Sequence, residues 1–343
     1  MMFSRLGNTA AGIAGLSLAA CAHPPAPEPV TDGFHVVALG DSFASGQGAP
    51  NDKRWLEVWK SHWDDKRCNR SRWAPTTQAV EHLNAQGHDI EYDSFTCSGA
   101  KITEGLIGPY EGQERPICGP PLAPQVDELA ALAENPGDVD AVTISAGGND
   151  ALFGHIVARC ILGPKCEIIE NKVRAALEAL PEHLNSLAVE IETKATIQPD
   201  RILLLGYPDP TRRSDGTFCD REPLNDLLAG IDGDEARWAS EYVLPKLNGT
   251  LCRAAEKNGW IYVAPVEEFE TRGWCSDPIK LQENWINTGI QSGAKQGSHR
   301  GIVHPTRDGH TAVSERIQDR LETLLNGGTL ESDDCPEEPD SAP

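Results

Sequence analysis

The chain has 343 residues, which is enough for one large domain or two modest ones. Hydrophobic residues make up 39% and charged residues 24%, the balance of an ordinary globular protein. Acidic residues outnumber basic residues by 52 to 30, and the formal net charge is -22. Because such a field repels phosphate backbones and anionic membrane surfaces, we do not expect nucleic acid as a partner.

The N-terminus has the features of an export signal. Arg5 supplies a short positive start, and an apolar run of small residues from Ala10 to Ala20 ends at Cys21. The run is too short for a permanent membrane helix and is typical of a signal peptide over residues 1–20. Leu18-Ala19-Ala20-Cys21 resembles a bacterial lipobox, in which the cysteine is lipidated. An ordinary signal peptide that is cleaved nearby is the alternative.

A proline-rich stretch over residues 21–33 follows the signal. Four prolines within six residues predict a stiff, extended tether that lifts the domain off a membrane, namely Pro24, Pro25, Pro27 and Pro29. The sequence therefore predicts an exported protein of the bacterial cell envelope, either anchored through a lipid on Cys21 or secreted.

Short apolar runs alternate with longer helical patterns between residues 34 and 325. The runs that predict strands lie at residues 34–39, 89–95, 141–145, 201–206 and 260–264. Helical periodicity covers residues 171–193 and 310–325. Buried strands separated by helices indicate a parallel sheet that is covered on both faces. We therefore expect one α/β domain over residues 34–325.

The last segment, residues 326–343, has a different composition. It is rich in Gly, Asp, Glu, Ser and Pro, and it nearly lacks large apolar residues. A segment of this kind buries too little apolar surface to fold, so it is predicted to be a disordered acidic tail.

Two glycine-bearing motifs fall at the carboxyl ends of predicted strands, where active sites form in such sheets. Gly40-Asp41-Ser42 follows the first strand, and Gly147-Gly148-Asn149-Asp150 follows a later strand. Taken alone, Asp41 and Ser42 are equally suited to capping a helix. A serine nucleophile also needs a neighbouring base, and the negative oxygen that forms on the substrate needs hydrogen-bond donors. His304 and Gly99 supply candidates for these roles.

Taken in chain order, Ser42, Gly99, Asn149 and His304 resemble the four sequence blocks of the SGNH hydrolases, also called GDSL esterases and lipases. The resemblance runs from about residue 34 to the last helix. It implies a three-layer α/β/α, flavodoxin-like fold with a mostly parallel sheet of about five strands. It also implies hydrolysis of a carboxylic ester through an acyl-enzyme intermediate, without a cofactor.

The same resemblance assigns roles to the four residues. Ser42 is the nucleophile and His304 is the general base and then the general acid. The main-chain amides of Ser42 and Gly99 and the side-chain amide of Asn149 form the oxyanion hole. The family usually has Asp three residues before the histidine, where this chain has Gly301. We therefore expect a Ser–His dyad in which the Gly301 main-chain carbonyl orients the imidazole.

Each role has a structural alternative. Gly99 can simply permit a turn, Asn149 can cap the next helix, and His304 can be a loop histidine whose hydrogen bonds are satisfied. His310, in the same block as His304, is interpreted as structural.

The ten cysteines favour disulfides in an oxidising compartment, because none shows Cys-x-x-Cys or zinc-finger spacing, and no metal site is expected. Resemblance to the disulfide-bearing actinobacterial branch of the family implies three pairs, Cys68–Cys97, Cys160–Cys166 and Cys219–Cys275. Two further cysteines are left to pair with each other, Cys118 and Cys252. Cys335 is expected to be unpaired in the tail.

Three tryptophans follow the nucleophile motif at four-residue spacing, Trp55, Trp59 and Trp63. This spacing places them on one helix face. They are interpreted as a wall or lid for an acyl chain or a sugar ring. The alternative is that they pack against the domain, as aromatic stripes usually do.

The sequence thus predicts a monomeric serine esterase or lipase that acts on lipid or acylated-carbohydrate esters. Fold does not fix substrate, so a deacetylase of acetylated polysaccharide is the alternative within enzymes. A surface lipoprotein that only binds glycans or a partner protein is the alternative outside them. A binding protein needs no Ser, Asn and His together, and this favours the enzyme.

Overall fold

A computed structural model of the chain describes residues 33–51, 62–113, 120–157, 159, 169–220, 231–276 and 283–339. Its centre is a five-stranded sheet in the order β2-β1-β3-β4-β5, and all neighbouring strands are parallel. The strands are β1 Phe34–Gly40, β2 Ile90–Ser94, β3 Ala141–Ser145, β4 Ile202–Leu205 and β5 Ile261–Val263. Each predicted strand is present, which confirms the predicted α/β sheet.

Nine helices are found in the described part of the chain. They are α1 Ser42–Ser45, α2 Pro75–Ala85, α3 Gln125–Leu132, α4 Phe153–Ile156, α5 Glu170–Lys194, α6 Gly233–Trp238, α7 Leu244–Asn258, α8 Gly289–Gln296 and α9 Arg307–Leu325. Short 3₁₀ turns lie at Pro199–Arg201, Glu267–Thr271 and His299–Gly301. A π-helical turn, Ala239–Val243, joins α6 to α7. The two predicted helices correspond to α5 and α9.

The sheet buries both of its faces, and this makes the domain three layers deep. Side chains alternate along each strand, so Val36 joins the core against α2 and α9 while Val37 joins the core on the opposite face. Helices α3, α5 and α7 cover that opposite face. Along α5 a stripe of buried side chains recurs every three or four residues, as expected for a helix with one face on the core.

The order in which strands are added to the sheet changes side at β1, because β2 lies on one side of β1 and β3 lies on the other. Ligand-binding crevices of parallel sheets form at this switch point, outside the carboxyl ends of the strands. Gly40 ends β1 with φ +136°, and a Cβ there would lie 2.3 Å from the Ser145 oxygen. Only glycine fits at this position. Gly40 therefore allows the end of β1 to pack closely against β3, and this places Ser42 in the crevice.

The segment after α9 is packed against the domain, so the prediction of a disordered acidic tail is wrong for its described residues. Asp333 N–H donates to the Tyr262 carbonyl at 3.0 Å, and the Asp333 carboxylate accepts from the Ala264 amide at 2.8 Å. Asp333 also pairs with Arg316 at 2.8 Å, and Ser332 accepts from the Tyr262 amide. The segment covers the open edge of β5 through hydrogen bonds and ion pairs. A prediction of disorder that is based on apolar content does not take such contacts into account.

Three disulfides lie within the described residues. The expected pairs Cys68–Cys97 and Cys219–Cys275 are present. The third joins Cys252 to Cys335, so the expectation that Cys335 is unpaired and that Cys252 bonds to Cys118 is wrong. The reason is that the tail returns to α7 and carries Cys335 to Cys252. Four cysteines lie outside the described residues, Cys21, Cys118, Cys160 and Cys166, and with them the predicted Cys160–Cys166 pair.

Several other predictions fall outside the described residues. They are the signal peptide over residues 1–20, Cys21, and all of the 21–33 tether except residue 33. In the part of the chain that the structure describes, no helix is both long and apolar enough to cross a membrane.

Candidate active site

Ser42 and His304, 262 residues apart in sequence, meet in the crevice. The His304 Nε2 atom lies 2.8 Å from the Ser42 Oγ atom. Ser42 is the first residue of α1, and the Asp41 carboxylate caps this helix by accepting from the Phe43 amide at 2.9 Å. Both members of the pair are buried, with 5% of Ser42 and 6% of His304 exposed. Asp41 therefore caps α1, as the structural alternative proposed. Ser42 also lies within hydrogen-bond distance of the His304 imidazole.

The other imidazole nitrogen of His304 is held by a main-chain carbonyl. Nδ1 lies 3.1 Å from the oxygen of Ile302, so the predicted acceptor, Gly301, is wrong by one residue. The Gly301 carbonyl accepts instead from the His304 amide at 3.2 Å. Val303 between them has φ +61°, and this turn directs the Ile302 oxygen back to the ring. Because a carbonyl only accepts, Nδ1 carries the proton and Nε2 is free to accept from the Ser42 hydroxyl.

The surroundings of His304 keep its imidazole neutral. Burial lowers the pKa of His304 to about 4, the hydrogen bond to Ile302 opposes this change, and nearby His310 adds to it. The rings of Phe43 and Phe153 flank the imidazole, each with its centroid 5.6 Å away. A neutral imidazole at ordinary pH is able to act as a base.

The predicted oxyanion residues line the same cleft as the pair. This cleft has a volume of about 250 Å³, and Ser42, Gly99, Asn149 and His304 all contribute to its wall. The Asn149 side-chain amide donates to the Ala100 carbonyl at 2.9 Å, which uses one of its two hydrogens. No hydrogen bond joins the Ser42 or Gly99 amide N–H to another described residue. The three residues that are predicted to bind an oxyanion therefore line one cleft.

Asp150 braces the loop that carries Gly99. Its carboxylate accepts from the Ile102 amide at 3.0 Å and lies 3.0 Å from Nδ1 of His183 on α5. Burial raises the pKa of Asp150, while the bonds to Ile102 and His183 oppose the rise. The Gly-Gly-Asn-Asp motif thus holds this loop twice, through Asn149 at Ala100 and through Asp150 at Ile102.

Tyr207 is a site residue that sequence reasoning missed. Its hydroxyl donates to the Asp41 carboxylate at 2.6 Å and accepts from the Gly148 amide at 3.1 Å. Tyr207 therefore ties the serine motif to the Gly-Gly-Asn-Asp motif. Burial raises the pKa of Asp41 to about 6, although the hydrogen bond from Tyr207 opposes the rise. The available signal was position, because Tyr207 follows β4 at the same edge of the sheet.

Asn287 is a second residue that sequence reasoning missed. Its side-chain nitrogen lies 3.1 Å from the oxygens of Gly48 and His304 and 3.0 Å from the oxygen of Pro305. The side chain is fully buried. Asn287 therefore joins the loop after Ser42 to the loop that carries His304, and no sequence signal marked it.

His310, which was interpreted as structural, joins the same two regions. Its Nε2 lies 3.0 Å from the Gln47 carbonyl oxygen, and the side chain is fully buried in α9. Burial lowers the pKa of His310 to about 4. The neutral ring donates from Nε2, because its partner is a carbonyl.

The tryptophan wall receives no support from the described residues. Trp63 is half-buried beside the bridge between Asn51 and His62, and it is not among the described residues that line the cleft. Trp55 and Trp59 lie outside the described residues. One group of potential metal ligands is found in the described chain, Cys252, Glu256 and Cys335. Its two sulfur atoms are bonded to each other, so they are unavailable as thiolate ligands.

Comparisons with known proteins agree on one family. A model described as the GDSL-like lipase/acylhydrolase family matches residues 38–312. A protein called Lipase 1 from Streptomyces coelicolor is 28% identical over 282 residues, covering 80% of this chain and 86% of that lipase. Lipase 2 from the same organism is 26% identical over 332 residues, covering 91% of this chain and 94% of that lipase.

A solved structure has the same fold. The extracellular lipase from Streptomyces rimosus superposes with a TM-score of 0.58 at 21% identity, covering 86% of this chain and 100% of that chain. At this identity the likeness establishes the fold alone.

Proposed function

Because the chain belongs to the GDSL-like lipase/acylhydrolase family and is a carboxylic ester hydrolase, we propose that it is a serine esterase or lipase that uses a Ser42–His304 dyad. The observation that carries this proposal is the distance of 2.8 Å between His304 Nε2 and Ser42 Oγ. The opposite ring nitrogen is held by the Ile302 carbonyl, which leaves Nε2 free to accept the proton.

The reaction proceeds through an acyl-enzyme. Ser42 Oγ attacks the ester carbonyl carbon while its proton passes to His304 Nε2. The tetrahedral intermediate collapses, the C–O bond to the alcohol breaks, and the imidazolium protonates the departing oxygen. A water molecule then attacks the acyl-enzyme with His304 again as base, and it releases the carboxylic acid and the Ser42 hydroxyl.

Charge develops at two places during this reaction. The negative oxygen is bound by the Ser42 and Gly99 amides and by the free hydrogen of the Asn149 side chain. Loss of one such donor typically costs about 10²–10³ in kcat. The positive charge on His304 forms in a buried site where, among the described residues, only the Ile302 carbonyl is in place to accept from Nδ1–H. A carbonyl fixes the tautomer as a carboxylate would, with less stabilisation of the imidazolium.

We also propose that the enzyme acts outside the cytoplasm as a monomer, anchored through a lipid on Cys21 or secreted. Three disulfides in the described chain favour an oxidising compartment, and the structural relative from Streptomyces rimosus is an extracellular lipase. Digestion and mass spectrometry of the mature protein test this, since a lipidated cysteine at its N-terminus is the expected product. A mature chain that begins elsewhere would refute the anchor.

The decisive experiment is hydrolysis of p-nitrophenyl esters by matched serine variants. Ser42→Ala and His304→Ala are each expected to lose at least about 10³-fold in kcat while they keep the far-ultraviolet circular dichroism spectrum of the wild type. Ser314→Ala is the control, because Ser314 is equally buried in α9 and lies outside the cleft lining.

A fluorophosphonate probe supplies a second readout for the same proposal. It should label Ser42 rapidly in the wild type. In His304→Ala it should label Ser42 only slowly, because the hydroxyl of that variant lacks its base. The proposal is refuted if wild-type protein turns over no ester from acetyl to palmitoyl, or if Ser42→Ala stays active. The first result would leave a binding protein on the same fold.

A further inference from the structure

An apolar cavity of about 70 Å³ lies behind the two aromatic rings that flank His304. Its walls come from α1, α4, the segment after β4, and the start of α7, and the surface exposed inside is almost entirely carbon. Representative side chains are Phe43, Phe153, Val157, Val243 and Leu247.

The cavity and the catalytic cleft share a wall. Phe153 and Val157 line both spaces, and Phe43 is the residue directly after Ser42. The Phe43 and Phe153 ring centroids are 5.9 Å apart, and each ring also contacts the imidazole of His304. The aromatic pair therefore lies between the Ser42–His304 pair and the cavity.

The polar side chains among the described lining residues already have partners. The Tyr207 hydroxyl is bonded to Asp41 and Gly148, and the Thr211 hydroxyl donates to the Asp209 carboxylate at 2.6 Å. A sugar ring placed here would leave its hydroxyls without hydrogen bonds, which is costly in a buried site. An alkyl chain has no hydrogen bonds to lose, and its transfer out of water is favourable.

We propose that this cavity is the acyl-chain site of the enzyme and that it selects short and medium acyl groups of roughly three to eight carbons. The inference rests on the proposed Ser42 chemistry and specifies its substrate class. A water-sized group needs a cavity of at least about 10–15 Å³ and fills about 30 Å³ of a liquid, so a cavity of about 70 Å³ holds roughly two to seven methylene-sized groups. The carbonyl carbon at Ser42 adds one more.

The test is a chain-length series of p-nitrophenyl esters from acetyl to palmitoyl. We expect kcat/KM to rise about fourfold for each methylene that is buried, to peak between butyryl and octanoyl, and to rise no further for longer chains. An acetyl-selective profile would overturn the inference and indicate a deacetylase. A profile that rises steadily to palmitoyl would also overturn it, because the cavity cannot hold that chain.

Substitutions at Val243 distinguish this cavity from other apolar surfaces. Val243→Phe fills it and should lower hexanoyl turnover by at least about tenfold while acetyl turnover changes little. Val243→Ala widens it and should move the peak by one or two carbons toward longer chains. Val80→Ala is the matched control, since Val80 is equally buried in the core on the opposite face of the sheet. It should lose stability without a change in profile.

The outcomes separate the two proposals. If Ser42-dependent turnover is present but neither Val243 variant changes the ratio of hexanoyl to acetyl turnover, the acyl site is wrong and the dyad stands. If no Ser42-dependent turnover is found, the proposed function itself fails. Val243→Ala keeps the inference testable if Val243→Phe does not fold, since it only removes atoms.

Discussion

The buried position of His304 predicts an enzyme that stays active in mildly acidic solution. With a pKa of about 4, about nine-tenths of His304 is neutral at about pH 5, whereas a solvent-exposed histidine would be only about one-thirtieth neutral. The plateau of kcat/KM should therefore extend from neutral pH to about pH 5 with a loss of about 10%. An ordinary histidine would give a loss of about thirtyfold over the same interval.

The assay is hydrolysis of p-nitrophenyl butyrate across this pH range, with the product measured after the reaction is quenched at alkaline pH. Asp41 is the confounding group, because its pKa of about 6 places a second ionisation inside the window. Asp41→Asn removes that ionisation and keeps an oxygen that is able to cap α1. A midpoint near 6 that disappears in Asp41→Asn belongs to Asp41, and a midpoint near 6.5 that persists there refutes the reasoning about His304.

Folding must be followed in the same samples, because the buried histidines also make stability depend on pH. His304 and His310 each have a lower pKa in the folded chain than in the unfolded chain. The unfolded chain therefore takes up protons first, and stability is lost as pH falls from about 6.5 toward 4. Each histidine costs about 2 kcal/mol at about pH 5. His310→Gln should remove about half of this loss in urea unfolding, and an unchanged pH dependence would contradict it.

Three further predictions concern residues that hold the site together. Asn287→Ala leaves the Gly48 and Pro305 carbonyls without their buried donor, which should cost about 1–3 kcal/mol of stability for each carbonyl. The kcat for p-nitrophenyl butyrate should fall about tenfold or more, with KM little changed. A wild-type kcat would exclude this role for Asn287. Tyr207→Phe should raise the pKa of Asp41 further and lower the free energy of unfolding by about 1–3 kcal/mol at neutral pH. The loss should be smaller below pH 6, where Asp41 is protonated. Equal losses at the two pH values in urea unfolding would argue against this role for Tyr207. Replacing the Cys252–Cys335 disulfide by two alanines opens a loop of 83 residues and should lower the free energy of unfolding in urea by about 4.5 kcal/mol. A loss below about 1 kcal/mol would show that the hydrogen bonds and ion pairs of the tail hold it without the disulfide.

The sheet was predictable because its strands carry their own signal. Five apolar runs of strand length, each separated by polar or helical sequence, correspond to β1–β5. The pairing of Ser42 with His304 could also be predicted from the sequence. Both residues lie in short motifs with glycine or proline, and the order of these motifs along the chain resembles that of a known family.

Other features depended on information that sequence patterns do not contain. The acceptor for His304 is Ile302 rather than Gly301 because Val303 adopts φ +61°, a conformation that a β-branched residue seldom takes. Asn287 works through contacts with residues that are distant in sequence, Gly48 being 239 positions away. A single sequence shows neither the backbone angle nor such contacts.

The tail shows where a compositional rule fails. Residues 326–343 have too few apolar side chains to form a core, and that reasoning is sound for an isolated segment. Here the open edge of β5 offers unpaired main-chain groups, and Asp333 satisfies two of them. Two arginines on α9, Arg316 and Arg320, then neutralise its carboxylate. The described residues of this segment, 326–339, are ordered by their contacts with β5 and α9 rather than by their own composition.

The long separation of Ser42 from His304 has a consequence for biosynthesis. During translation the Gly40-Asp41-Ser42 motif leaves the ribosome 262 residues before His304, which at about 5–20 residues per second is roughly a quarter of a minute to nearly a minute. Throughout that interval Ser42 lacks its imidazole partner, and the carbonyl of Gly48 has no Asn287 to hold it. With the proposed dyad, a nascent chain is therefore expected to hydrolyse no ester until the segment that carries Asn287 and His304 has been made and has docked.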